Sequence, residues 1–130
     1  FDSLANHHSI QGLPSARMAG VHDLMRAHET TLLQPLLDFL SARNDLRLLG
    51  PRNAENRAPT VALDLGRDPA PIAQALAAKG INAGAGDFYA VRALEGQGVN
   101  SKRGVLRLSF VHYTSVDEID ALIAALDSVL

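Results

Sequence analysis

Residues 104–122, GVLRLSFVHYTSVDEIDAL, hold a strand, a turn and the start of a helix. Along Val105–Val111 the side chains alternate, so Leu106, Leu108 and Phe110 share one face while Val105, Arg107, Ser109 and Val111 share the other. Ser115 and Glu118 stand at the spacing of a capping box. Behind them Val116, Ile119, Leu122, Ile123, Leu126, Val129 and Leu130 form an amphipathic stripe. A strand with one fully apolar face, followed by a helix with one apolar face, predicts helices laid against a sheet.

Working outward, the same pattern recurs. Leu46–Leu49 is a short strand candidate, and Gly50–Ala58 is a polar loop. Thr60–Leu65 alternates, with Val61, Leu63 and Leu65 opposite Ala62 and Asp64. Asp68 before Pro69 is a cap followed by a proline at the first helical position, opening a helix through Ile72–Lys79 that stops at Gly80. Ile81–Gly86 is read as extended, Phe88–Glu95 as a short helix and Gly96–Gly104 as a loop. The predicted class is α+β: a small, mainly antiparallel sheet with helices on one face.

Ahead of this lies a helical pattern from Ser15 to about Arg43. Met18, Val21, Met25, Leu32, Leu36 and Leu40 carry it, with Leu24, Leu33 and Leu37 widening the stripe. Pro35 removes a backbone donor inside that run, so a kink or break is expected near Thr31–Gln34. Residues 1–14 show no sustained period. The division that follows is residues 1–44 as N-terminal segment and linking helix, and 45–130 as the α+β domain.

Composition narrows the function. With 12 Lys and Arg against 14 Asp and Glu, the net charge of −2 leaves no basic footprint for nucleic acid or an anionic membrane. No apolar run is long enough to span a bilayer. Cysteine is absent, which removes disulfides, thiolate zinc sites and a thiol nucleophile, and fits a cytoplasmic location. Of the five histidines, none is placed in a helical metal-binding pair at i, i+4, so no metal site is expected. The chain starts at Phe1, not Met, and is read as part of something longer.

Arg107 is the residue that points to chemistry. A guanidinium in the middle of an otherwise apolar strand demands an anion, and its planar fork suits a carboxylate gripped by two parallel hydrogen bonds. The anion could be internal, such as Asp64 on a neighbouring strand, or it could be a ligand. Strand geometry alone favours the internal pair.

A resemblance shifts that balance. Arg107-x-Ser109, the turn Tyr113-Thr114-Ser115 and Glu118-Ile119-Asp120 resemble the C-terminal signature of class V aminotransferases and cysteine desulfurases. In that family the strand arginine binds the α-carboxylate of an amino-acid substrate, a role the resemblance carries to Arg107. The stretch KGINAGAGDFYA, residues 79–90, resembles the family's Gly-Ile-x-x-Arg-x-Gly-His-His-Cys-Ala loop. Gly86 and Ala90 match, Gly84 stands near the loop arginine, and Tyr89 stands where a desulfurase keeps its persulfide-forming cysteine. Tyrosine cannot attack sulfur as a thiolate does, so the resemblance points to the cysteine-desulfurase-like branch with a Phe-Tyr pair in this loop, not to desulfurisation. It also implies that Asp87 and Tyr89 line the substrate pocket; loop packing is the competing reading of both.

The family implies pyridoxal phosphate (PLP) in an intact parent enzyme, held by a lysine of an upstream large domain in a Ser-x-His-Lys context. Lys79 and Lys102, the two lysines here, lack that context. No cofactor-binding or catalytic residue is therefore expected in this chain, and the chain alone is expected neither to hold PLP nor to turn over. The implied parent is a homodimeric transferase or lyase acting on an amino acid, its reaction chosen by groups elsewhere. The alternatives are a stand-alone α+β amino-acid-binding or regulatory module, and an inactive relative kept as an oligomerisation partner.

Overall fold

The computed structural model describes residues 1–130. Its helices are α1 (Asp2–His7), α2 (Pro14–Ser41), α3 (Ala70–Ala77), α4 (Val91–Gly96) and α5 (Val116–Val129). Its strands are β1 (Arg47–Leu49), β2 (Thr60–Asp64), β3 (Gly84–Gly86) and β4 (Val105–Ser109), and a single 3-10 turn covers Ala54–Asn56. The strands form one sheet in the order β1-β2-β4-β3, with every neighbouring pair antiparallel. The α+β class and the antiparallel sheet are as predicted.

Alternation decides the layers. Val61 and Leu63 of β2 stand opposite Leu108 and Leu106 of β4, and all four are buried on one face. Against that face lie Leu32, Leu33, Leu36, Leu37 and Leu40 of α2, Ile72 and Leu76 of α3, and Ile119, Leu122, Ala125 and Leu126 of α5. Each fully buried leucine contributes about 1.5–3 kcal/mol of transfer free energy, so this face carries most of the stability. The other face has a smaller cluster. Leu49 and Val105 meet Leu94 of α4 and Val99, with Ala62, Phe88 and Ala90 packed alongside. The three longer helices thus make the expected single layer, and α4 covers part of the reverse side.

Helix ends follow local chemistry. Ser115 Oγ accepts the Glu118 N–H at 3.2 Å and Glu118 Oε2 accepts the Ser115 N–H at 2.8 Å, completing the capping box. Asp68 Oδ1 accepts the Ala70 N–H at 2.9 Å, so the Asp-Pro start holds although the helix begins one residue beyond Pro69. Gly80, at φ +80°, ends α3: its N–H donates to Ala77 O and that of Ile81 to Leu76 O, an arrangement that needs the left-handed region.

Four expectations need correction. The helix does not break near Thr31–Gln34: α2 runs unbroken from Pro14 to Ser41 with Pro35 inside it. Buried leucines on both sides of Pro35 hold the helix to the sheet, and Gln34 ties it to the following loop by accepting the Ala54 N–H and donating to Arg52 O. Residues 2–7 form a helix where no periodicity showed one; Arg17 of α2 holds it through Asn6 Oδ1 at 2.8 Å and Asp2. The strand at Arg107 ends at Ser109, not Val111: β2 begins opposite it at Thr60, and beyond that pair only the Phe110 N–H to Pro59 O bond, 3.1 Å, joins the two segments. Finally, the helix predicted from Phe88 starts at Val91. Phe88 and Tyr89 sit in the left-handed region instead, at φ +52° and +58°.

Candidate functional site

Arg107 occupies the centre of β4, hydrogen-bonded between β2 and β3, with Ala62 on one side and Gly84 on the other. Both neighbours are small. The guanidinium therefore lies on an open, exposed face and not inside the core. Its Cζ stands 4.0 Å from the centroid of the Phe88 ring, a cation–π stack.

The internal carboxylate is taken. Asp64 Oδ1 lies 2.7 Å from Arg103 Nη2 and Oδ2 lies 3.6 Å from Arg47 Nη2, while Oδ1 also accepts the Gly66 N–H at 3.0 Å. Burial raises the Asp64 pKa, but the Gly66 N–H and the two guanidinium groups outweigh it and hold the carboxyl below its ordinary range. The register explains the choice of arginine. Asp64 is paired across from Arg47, whereas Arg107 is paired with Ala62, two residues earlier in β2. No acidic side chain forms an ion pair with Arg107; the pairing with Asp64 favoured by strand geometry does not occur.

Phe88 is delivered by a strained turn. Asp87 Oδ1 accepts the Tyr89 N–H at 3.0 Å and Asp87 O accepts that of Ala90 at 2.8 Å, bending the chain immediately after β3. Two consecutive non-glycine residues at positive φ cost on the order of 1–3 kcal/mol each, and such strain persists only where surrounding contacts enforce it. Gly84 supplies the floor: a Cβ there would come within 2.8 and 2.9 Å of Phe88 ring carbons. The turn holds the Phe88 ring over β3 and sends Tyr89 fully into solvent, at 102% relative exposure.

The three sequence-predicted site residues thus have distinct placements. Arg107 is exposed and in no ion pair, the Asp87 carboxylate is engaged in building the turn, and Tyr89 projects outward. Ser109 of the Arg-x-Ser pair faces Thr60, hydroxyl to hydroxyl at 3.2 Å. Phe88 is not among the residues that the sequence marks for the site, because the expected helix runs through it. Residue order carries no decisive signal there, since an aspartate opens a helix as readily as it builds a side-chain-capped turn. A groove of about 760 Å³ lies elsewhere, between Lys79–Ile81, the end of β4 and α5, and does not include Arg107. Lys79 follows α3 and Lys102 lies in the turn before β4, so neither shares an element with Arg107 or Phe88. Nor do three His, Asp or Glu side chains converge anywhere in a metal-binding cluster.

The model of the class-V aminotransferase family matches residues 16–122, a span that includes the Phe88 turn and Arg107. The chain belongs to that family. Among its relatives, the aminotransferase-like protein FGM3 of Gibberella zeae is 31% identical over 113 residues, covering 83% of this chain and 28% of that protein. A cysteine desulfurase from Thermococcus onnurineus superposes with a TM-score of 0.72 at 22% identity, over 88% of this chain and 29% of that one. The cysteine desulfurase CsdA of Escherichia coli gives 0.68 at 25% identity, over 92% and 32%. This class-V chain therefore spans less than a third of each relative's length, and its fold is that of one part of those proteins.

Proposed function

We propose that this chain is the C-terminal small domain of a PLP-dependent class-V enzyme acting on an amino acid, and that Arg107 receives the substrate α-carboxylate. One observation carries the reading. A guanidinium at the centre of the sheet has no acidic partner, although Asp64 lies on the adjacent strand and engages two other arginines. A cation placed on an exposed face with its donors unused is prepared for an anion from outside the domain.

An open face is half a site. The other wall, the lysine that holds PLP and the groups that select the reaction belong to the parent protein; this chain covers only 28–29% of its matched relatives. When bound, PLP supplies the electron sink for bond-breaking at the substrate Cα. What this chain contributes is orientation, because a two-pronged grip on the carboxylate fixes how Cα is presented. Asp87 contributes through the shape of the turn, and Tyr89 is poised to close the pocket from the solvent side. Neither is a thiol, so sulfur transfer through this loop is not part of the reading.

The test is made in the full-length enzyme. Arg107→Lys replaces the fork by a point charge and is expected to weaken amino-acid binding by tenfold or more, on the order expected for a lost bidentate contact, with the melting temperature unchanged. Unchanged affinity would overturn the assignment.

A further inference from the structure

We propose that Phe88 is a positioning residue for Arg107, holding the guanidinium by its face so that its edge stays open for a carboxylate. This rests on the reading of Arg107 as the carboxylate receiver. Guanidinium donors all lie in the plane of the group, along its rim. An acid or a carbonyl that fixed the side chain would occupy those donors. An aromatic ring stacked on the flat face fixes the group and leaves every donor free. Phe88, whose ring centroid lies 4.0 Å from Arg107 Cζ, is placed to do this.

Two further observations show that the stack is built and not incidental. Phe88 reaches its place only from the left-handed region, φ +52°, which a phenylalanine adopts under constraint. Gly84, directly across from Arg107 in the register, leaves the ring its space, since any Cβ there would meet ring carbons at 2.8 and 2.9 Å. Gly84, Phe88 and Arg107 therefore form a floor, a plate and a fork. Without the plate the arginine samples its rotamers over an open face, and each binding event must order it again.

The experiment uses the full-length enzyme. Each proteinogenic amino acid is titrated while the visible absorbance of the bound cofactor is followed, and the strongest responder serves as the probe. Phe88→Leu keeps apolar volume for the cluster of Leu49, Leu94, Val99 and Val105 but removes the π face; Phe88→Tyr keeps that face. Should Phe88→Leu not fold, Phe88→Met replaces it. The leucine variant is expected to raise the probe's Kd about three- to tenfold at unchanged melting temperature, with the tyrosine variant within about twofold of the parent. Gly84→Ala is expected to match the leucine variant. A leucine variant with parental Kd, beside an Arg107→Lys variant that binds weakly, overturns the role of Phe88 and leaves that of Arg107 standing. Equal weakening in leucine and tyrosine variants, with a fallen melting temperature, assigns Phe88 to packing and also overturns the proposal. If Arg107→Lys has no effect, or no amino acid perturbs the absorbance, the underlying reading falls as well.

Discussion

Arg103 Nη2 stands 2.7 Å from Asp64 Oδ1, joining the turn before β4 to the end of β2 across 39 residues of sequence. That contact, with Arg47 on the other carboxylate oxygen, engages the acid that strand alternation alone offers to Arg107. The Asp64 side chain is only 12% exposed, while Arg47 is half exposed, so screening by salt weakens the Arg47 contact more than the Arg103 contact. It separates a structural arginine from one left available.

Asp64→Asn is expected to cost about 2 kcal/mol at neutral pH, as for other charged hydrogen bonds in a partly buried setting. The sign of the pH effect follows from the depressed carboxyl pKa. Its stabilisation is full above the unfolded value, near pH 4, and is lost as pH falls through the lower folded value. The variant should therefore show a shallower acid limb in urea melts below about pH 4. Asp45, held low mainly by its hydrogen bond with Arg43, remains to give the residual slope.

Arg107→Ala should leave the stability of this chain within about 1 kcal/mol of the parent, the scale of one exposed cation–π contact. A buried internal ion pair would lose several times more. Chemical denaturation thus checks, without any ligand, that no acid of the domain depends on Arg107.

Gly104→Ala should destabilise by about 2 kcal/mol or more. Gly104 sits at φ +75°, and a Cβ there would lie 2.5–2.7 Å from backbone atoms of Gly86. The clash would push β3 away from β4 just before the Phe88 turn. Amide exchange at Gly84–Gly86 is expected to quicken, and exchange in β2 should not.

Ser115→Ala should cost about 1 kcal/mol, because it removes the hydroxyl that accepts the Glu118 N–H at the start of α5. Thermal melts of the variant, compared with Ser115→Asp, separate loss of the cap from a change of helix propensity.

Pro35→Ala should stabilise the chain by about 1–3 kcal/mol, since it restores a helix donor at an exposed position within α2. A lower melting temperature would show that the proline's geometry is needed to seat the leucines on either side.

Much of the fold was legible because it rests on short-range periods. The alternation in β2 and β4, the Ser115–Glu118 box and the glycine after α3 are local facts, and the structure reproduces each. The misreadings came where distant contacts overrule local preference. Pro35 ought to break a helix, but the surrounding leucines bury themselves on the sheet. Phe88 and Tyr89 take positive φ in a turn that Asp87 builds, which residue order alone does not distinguish from a helix cap, and the Phe88 ring then meets Arg107 from a distant strand. Asp2–His7 shows no periodicity of its own and is a helix through contacts with α2.

For the candidate site the division is the same. A central arginine among apolar alternation follows from residue order, since strand geometry leaves it no other place. Which of Arg47, Arg103 and Arg107 meets Asp64 does not follow, because strand register and the path of an intervening turn bring those groups together from separate parts of the chain. Residue order therefore raises the expectation of an anion at Arg107, and only the folded sheet shows that the side chain is exposed and that no acid of this chain pairs with it.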